Sequence, residues 1–403
     1  MLNQSELNIG TLGHVDHGKT TLAYAISHVW TDVHSESKKR SMTIKLGYSD
    51  TVIRKCEENG KATYTVDEKC SDGKQSLPFR RISLLDAPGH ETLMATAIAG
   101  SSIIDSALFV ISSTEPVPMP QTREHLMIIN ALGIRKVIVV QTKIDVVGKE
   151  KAKKSYEQIK AFLKGSVIES APVIPVMANK GINIDALLEE IAKIEVPHRD
   201  IESDPMMYVA RSFDINKPGT PINELLGGVI GGSIVRGKFK VGDEIEIRPG
   251  MKSSKDKQRK ETYEPIITRI TSLGASNQKL DSAIAGGLIA VGTEADPALT
   301  KADGLVGQIA GKAGKLPPIS TEITIEYHNL ERTDIPKQAF KPSEPLILGV
   351  GTGTSVGYIK SMKKNRLELL LSHPACIDPK SKIAVMRNFS QRWRLSGYGT
   401  VFQ

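Results

Sequence analysis

Short apolar runs punctuate the first half of this chain, and polar stretches with helical spacing separate them. Residues 7–12, 82–85, 107–111, 137–140 and 173–176 are brief and rich in β-branched side chains. Strands buried on both faces read this way. Thr21, Leu22, Ala25, Ile26 and Val29 follow helical spacing, as do residues 121–132 and 184–194. The alternation predicts a doubly wound α/β domain with a mostly parallel sheet, which binds ligands at the carboxyl ends of its strands.

The texture changes near Pro197 to Pro205, where residues 198–204 are polar and read as a linker. Beyond it, short runs alternate with glycine turns: 208–215, 228–235, 238–248, 266–273 and 288–291. That pattern predicts a β-barrel. The charged stretch 252–260 reads as a loop between strands. A second break falls at Leu316-Pro317-Pro318, after which strands resume at 322–327, 346–349, 367–371 and 383–387. The expected domains are a nucleotide-binding domain over 1–203 and two β domains over 204–315 and 316–403.

Composition narrows the class. A chain of 403 residues has room for two or three domains. No run of about 18 apolar residues exists, so no transmembrane helix or membrane partner is expected. The first six residues do not read as a signal peptide. Three cysteines, Cys56, Cys70 and Cys376, argue against a disulfide framework and for a reducing compartment. The net charge of +8 favours a polyanionic partner. Lys360, Lys363, Lys364 and Arg366 form one basic cluster. Lys380, Lys382, Arg387, Arg392 and Arg394 form another, with Trp393 inside it. Basic residues interleaved with an aromatic suit phosphate contact plus base stacking, but either cluster taken alone reads first as a solvated surface with one packing tryptophan.

The candidate chemistry starts at Gly13-His14-Val15-Asp16-His17-Gly18-Lys19-Thr20. This is a complete G-x-x-x-x-G-K-[ST] phosphate loop between a predicted strand and a predicted helix. Its glycines let the backbone approach phosphate oxygens, and the helix N-terminus favours anions. Asp16, His17, Gly18, Lys19, Thr20 and Thr21 are the candidate phosphate contacts. Lys19 would reach the β- and γ-phosphates, and the Thr20 hydroxyl would ligate Mg²⁺.

Asp86-Ala87-Pro88-Gly89-His90 ends the 82–85 strand as a D-x-x-G element. Asp86 would hold Mg²⁺, and the Gly89 N–H would bind the γ-phosphate, which only a nucleoside triphosphate offers. His90 is the candidate catalytic group, placed to orient the attacking water. Thr142-Lys143-Ile144-Asp145 follows the 137–140 strand. The Asp145 carboxylate matches the two adjacent donors of guanine. A further hydroxyl is needed for the Mg²⁺ shell. Thr43 is a candidate, and by spacing Thr21, Thr31 and Thr51 compete with it.

With these residues assembled, the chain resembles translational GTPases. More narrowly, it is similar to the gamma subunits of initiation factor 2 from eukaryotes and archaea. GHVDHGKTTL (13–22), MTIKLGY (42–48), DAPGHE (86–91), ARSFDINKPGT (210–220), GGVIGGSIVRGKFKVGDEIEIRPG (227–250), GGLIAVGT (286–293), GLVGQIAG (304–311) and WRLSGYG (393–399) carry the resemblance. It implies a cytoplasmic GTPase with two β-barrels, slow alone and stimulated by an activating factor. It implies carriage of initiator methionyl-tRNA to the small ribosomal subunit, assembly with alpha and beta subunits, and service by a nucleotide-exchange factor. It makes Thr43 the switch-one Mg²⁺ ligand. It places Tyr48, Lys217 and Gly219 near the tRNA acceptor arm.

The chain departs from the family pattern in places. Thr142 replaces the usual Asn of the guanine motif, and a hydroxyl is shorter than an amide. Met177-Ala178 stands where the family has Ser-Ala, leaving the Ala178 N–H for guanine O6. Met42 occupies a position that is often isoleucine. Archaeal members carry four zinc-binding cysteines after switch one, whereas only Cys56 and Cys70 stand here, so zinc is not expected. Two other readings compete: an elongation-type or selenocysteine-type aminoacyl-tRNA carrier, and a non-hydrolysing scaffold that binds nucleotide structurally.

Overall fold

The structure is a computed structural model that describes residues 3–31, 46–58, 60–87, 95, 98–99, 101–253, 262–276, 278–330, 332 and 338–402. The chain divides into two compact units, Met1–Ala97 with Ile104–Pro197, and Ile98–Ile103 with His198–Gln403.

The first unit holds strands β1 (Leu7–Leu12), β2 (Gly47–Glu58), β3 (Lys61–Thr65), β4 (Leu77–Asp86), β5 (Ser106–Ser112), β6 (Val137–Thr142) and β7 (Val173–Pro175). They form one sheet in the order β3-β2-β4-β1-β5-β6-β7. β4, β1, β5, β6 and β7 run parallel, and β2 and β3 are antiparallel at the edge. Its described helices are α1 (Lys19–Ser27), α2 (Pro120–Leu132), α3 (Ile144–Leu163) and α4 (Ile184–Ala192).

Alternate residues of a strand point to opposite faces, and both faces here are apolar. Leu108, Val110, Ile138 and Val140 pack with α1 and α4 through Leu22, Ile26, Leu187 and Ile191. Phe109, Ile111, Val137 and Val139 pack with α2 and α3 through Leu126, Ile129, Ile159 and Leu163. Each fully buried Leu or Ile contributes roughly 1.5–3 kcal/mol. The doubly wound expectation therefore holds, and its physical cause is this two-sided burial.

One sequence expectation fails. Cys56 and Cys70 are joined as a disulfide with Cα atoms 5.8 Å apart. Cys56 lies in β2, which pairs with β3. Beyond β3 the chain turns back through the Lys69–Gln75 bridge. Counting cysteines does not register that local return. Cys376 remains a free, buried thiol.

The second unit is almost entirely β. Strands β8 (Met206–Phe213), β9 (Val229–Arg236), β10 (Lys238–Lys240), β11 (Glu244–Ser253), β12 (Thr262–Ala275), β13 (Gln278–Leu280), β14 (Ser282–Ile284), β15 (Ile289–Thr293) and β16 (Ile309–Lys312) come first. β11, β16, β8, β9, β15 and β12 follow one another, and β11 pairs with β12 to close a barrel. Lys252 and Ser253, expected in a loop, continue β11 opposite Tyr263 and Thr262. The second barrel closes in the order β17 (Ile319–Asn329), β20 (Arg366–Cys376), β19 (Gly353–Lys363), β18 (Pro345–Val350), β21 (Lys382–Phe389) and β22 (Arg392–Val401). β19 and β22 escaped the sequence reading, because glycine, serine and lysine interrupt their apolar alternation.

Polar bonds cross between the barrels. Arg236 Nη1 lies 2.6 Å from Asp378 Oδ2, and the Thr352 hydroxyl donates to the Val209 carbonyl at 2.6 Å. Arg387, read in sequence as part of a basic cluster, is buried. Its guanidinium donates to both Glu344 oxygens at 2.7 and 3.0 Å and to the carbonyls of Gln338 and Ala339. It is a structural group of the second barrel.

Candidate nucleotide site

The phosphate loop joins β1 to α1, and its backbone calls for glycine at Gly13 through space and at Gly18 through a positive φ. Gly13 has φ +147, and a Cβ there would collide with the Val110 carbonyl oxygen. Gly18 caps α1 with φ 87, so the first helical N–H groups, from Lys19 onward, open toward the loop. Asp16 is exposed at φ 59. Thr21, in the first turn of α1, is half-buried.

Lys19 is buried, and its Nζ donates to the carbonyls of Gly13 at 2.9 Å and His14 at 2.7 Å. Burial pulls its ammonium down to about 8, while the carboxylates of Asp86 and Asp16 work the other way. The His17 ring is turned into the interior. Its Nδ1 lies 3.1 Å from the Val110 carbonyl and its Nε2 lies 3.1 Å from Glu115 Oε2. Burial lowers its pKa to about 4, against the opposing hydrogen bonds to Val110 and Glu115. His17 therefore braces the loop from behind.

Asp86 ends β4 and is fully buried. Three hydroxyls donate to it: Thr11 to Oδ1 at 2.8 Å, Thr20 to Oδ2 at 2.6 Å and Thr31 to Oδ2 at 2.9 Å. Two of the three residues expected to ligand Mg²⁺, Thr20 and Asp86, are thus in contact. Oxygen donors from a hydroxyl and a carboxylate suit a hard divalent cation. Among the described residues no group of three or more His, Cys, Asp or Glu side chains is arranged to hold a metal. Of the hydroxyls that spacing left in competition, Thr31 is one that the structure brings to Asp86. Thr43, Gly89 and His90 lie outside the described residues.

The base side is built from the ends of β6 and β7. The Thr142 hydroxyl donates to the His17 carbonyl at 2.7 Å, so the base motif is tied to the phosphate loop despite the shorter side chain. Lys143 starts α3 in the left-handed region at φ 57. That places Asp145 in the first helical turn, 3.9 Å from Lys180 Nζ. Ala178 begins the short turn Ala178–Lys180, and Met177 bridges to Ile182. A cavity of about 540 Å³ beside these residues is lined by Gln141, Ile144, Asp145, Lys149, Tyr156 and Met177.

Behind the loop lies a residue that sequence reasoning missed. His125 on α2 is fully buried, and neither ring nitrogen has a hydrogen-bond partner. Burial, the Lys19 charge and the His17 and His14 rings keep it neutral. No motif marks it; an imidazole on the apolar face of a predicted helix is the sole signal.

The residues expected at the tRNA divide. The Tyr48 ring packs against the apolar cluster around Phe109. Lys217 and Gly219 are exposed in a turn closed by Thr220, whose N–H and hydroxyl both donate to the Lys217 carbonyl.

A phosphate loop, a buried aspartate contacting its threonine and a guanine-type base motif, followed by two barrels, define a translational GTPase. Residues 4–197 match the elongation factor Tu GTP binding domain, 227–304 match elongation factor Tu domain 2, and 321–401 match the initiation factor eIF2 gamma C-terminal domain. Curated relatives named translation initiation factor 2 subunit gamma include one from Methanothermobacter thermautotrophicus, 50% identical over 409 residues and 100% of both chains. One from Pyrococcus furiosus is 48% identical, over 99% of this chain and 98% of the relative. The chain belongs to the translation initiation factor 2 gamma subunit family, a family of guanine-nucleotide-binding GTPases.

Solved structures share the fold. Elongation factor SelB from Methanococcus maripaludis, in complex with a GTP analogue, has a TM-score of 0.74 at 22% identity, covering 100% of this chain and 80% of its own. A bacterial selenocysteine-specific elongation factor has a TM-score of 0.74 at 24% identity, covering 98% of this chain and 58% of its own. No helix among the described residues is long and apolar enough to cross a membrane.

Proposed function

We propose that this chain binds initiator methionyl-tRNA in its GTP state, delivers it to the small ribosomal subunit and releases it after hydrolysis. It does so in the cytoplasm as the gamma member of a heterotrimer with alpha and beta subunits, with its domains divided at residues 203 and 315. The observation that carries this reading is the end-to-end match to initiation factor 2 gamma subunits, whose C-terminal family model covers the second barrel.

The site supports a magnesium-dependent switch. Thr20, Asp86 and, by resemblance, Thr43 would hold Mg²⁺, which neutralises charge on the β- and γ-phosphates. Lys19 holds those phosphates, and Asp145 with the Ala178 N–H selects guanine. His90 orients the attacking water, and the Gly89 N–H registers the γ-phosphate. Tyr48, Lys217 and Gly219 face the acceptor arm. Intrinsic turnover is slow, on the order of 10⁻⁴–10⁻² s⁻¹, until an activating factor acts. A nucleotide-exchange factor resets the switch.

Competition separates this reading from an elongation-type or selenocysteine-type carrier. Initiator methionyl-tRNA should displace labelled initiator tRNA from the GTP-bound protein far more efficiently than elongator aminoacyl-tRNAs do. Equal displacement by elongator species contradicts the proposal.

A further inference from the structure

The second barrel carries a hollow of about 550 Å³ that the tRNA-carrier reading does not use, lined by Thr324, Ser361, Lys363, Lys364, Arg366, Glu368 and their neighbours Asn365 and Phe402. It sits at the tight turn between β19 and β20, where Lys363 pairs directly with Arg366. Like charges opposite one another on paired strands are unfavourable. Lys364, in the left-handed region at φ 56, adds a third cation to the same turn.

Two carboxylates of the neighbouring strand β17 have partners other than these lysines. Glu322 takes Lys360 at 2.8 Å, and Glu326 accepts from the Asn365 side chain at 2.7 Å. Among the described residues, the Lys363 and Lys364 side chains make no hydrogen bond or ion pair. Their charge is therefore available to an anion.

The hollow has an aromatic floor. The Arg366 guanidinium lies over the Phe402 ring with Cζ 3.6 Å from the centroid. Phe402 is half-exposed, at 39%. Arg366 is itself exposed, and an exposed guanidinium beside an aromatic ring can take a second planar group. Arg366 and Glu368 share one face of β20, because alternate strand residues do. Glu368 thus supplies an acceptor beside the stacking surface. Cations alone suit any anion; cations, a stacking surface and one carboxylate together suit a phosphorylated nucleotide, whose base brings N–H donors.

We infer that this hollow is a second nucleotide site, which binds a phosphorylated nucleotide through Lys363 and Lys364 and stacks its base on Arg366. The nucleotide is either free or the terminal residue of an RNA strand. The site is separate from the guanine pocket on Asp145, and it stands whether or not the chain carries initiator tRNA.

The test uses the full chain saturated with GDP and Mg²⁺, so that the guanine pocket is filled. Two fluorescent probes are titrated and followed by anisotropy: ribose-labelled ATP, and a 3′-labelled, 5′-phosphorylated RNA hexamer. Saturable binding is expected, with affinity falling at least about tenfold in Lys363→Ala/Lys364→Ala, which removes the phosphate contacts, and in Arg366→Ala, which removes the stacking surface. GDP affinity should be unchanged in both variants, and Lys363→Arg/Lys364→Arg should retain binding. Binding of both probes identifies free nucleotide as the ligand, and binding of the hexamer alone identifies a strand end. The inference is overturned by any of three results: no saturable binding of either probe, equal affinity in the alanine variants, or competition by pyrophosphate as effective as that by unlabelled ATP.

Discussion

The phosphate loop and the turn between β19 and β20 both gather cations, and they do so in opposite ways. Lys19 is buried, its ammonium is pulled down to about 8, and two loop carbonyls hold it in place. Lys363 and Lys364 stand in water at an exposed turn. The buried cation is preorganised and feels little screening, so each contact it makes is strong. The exposed cations are screened, and they gain from each other only when a polyanion arrives. The contrast teaches that net charge alone does not locate this protein's main site; burial does.

Four changes would break or sharpen that contrast. Lys19→Ala should have the largest effect, lowering GTP affinity more than about 100-fold, because loss of a buried charge contact costs several kcal/mol. Titration with a fluorescent guanine nucleotide checks it. A loss of tenfold or less would place Lys19 with the exposed lysines.

Asp145→Asn should shift preference from guanine to xanthine nucleotide by about 100-fold, since an amide donates where xanthine has a carbonyl. Retained guanine preference in a competition assay would remove Asp145 from the site.

The third change is pH. His17 titrates near 6.5 when unfolded and near 4 when folded. Between those values the unfolded chain binds the extra proton. The stability contribution is therefore full above about pH 6.5 and is lost as pH falls toward 4, on the order of 1–3 kcal/mol. Urea unfolding across that range should show a shallower slope in His17→Gln.

Thr142→Ala should have the smallest effect. It strands the buried His17 carbonyl and should weaken guanine-nucleotide binding about tenfold, or ~1.4 kcal/mol. Thr142→Asn should restore or improve binding. Unaltered affinity in the alanine variant would show that the tie to the phosphate loop is dispensable.

Much of this was legible in the sequence, for identifiable reasons. Strands such as β5 and β6 are buried on both faces, so they read as continuous β-branched runs. The phosphate loop reads directly because its glycines answer a local steric demand, as at Gly13 beside Val110. The convergence on Asp86 does not read that way. Thr11 reaches it because β1 and β4 pair in register at Thr11 and Asp86. Thr31 reaches it from beyond α1, and no short spacing encodes that meeting. The His17–Glu115 pair and the unpartnered ring of His125 are likewise products of tertiary packing. Arg387 shows the reverse error: a charge that looks solvated in sequence is neutralised inside a barrel by Glu344.

The central claim is that guanine nucleotide held by Lys19, Asp86 and Asp145 switches the affinity of this chain for initiator methionyl-tRNA. Its most direct test is the dissociation constant of that tRNA, measured by protection of the ester bond from hydrolysis, with GTP and then with GDP bound. The account predicts binding at least about tenfold tighter with GTP, a coupling of ~1.4 kcal/mol or more. Equal dissociation constants in the two nucleotide states would contradict it.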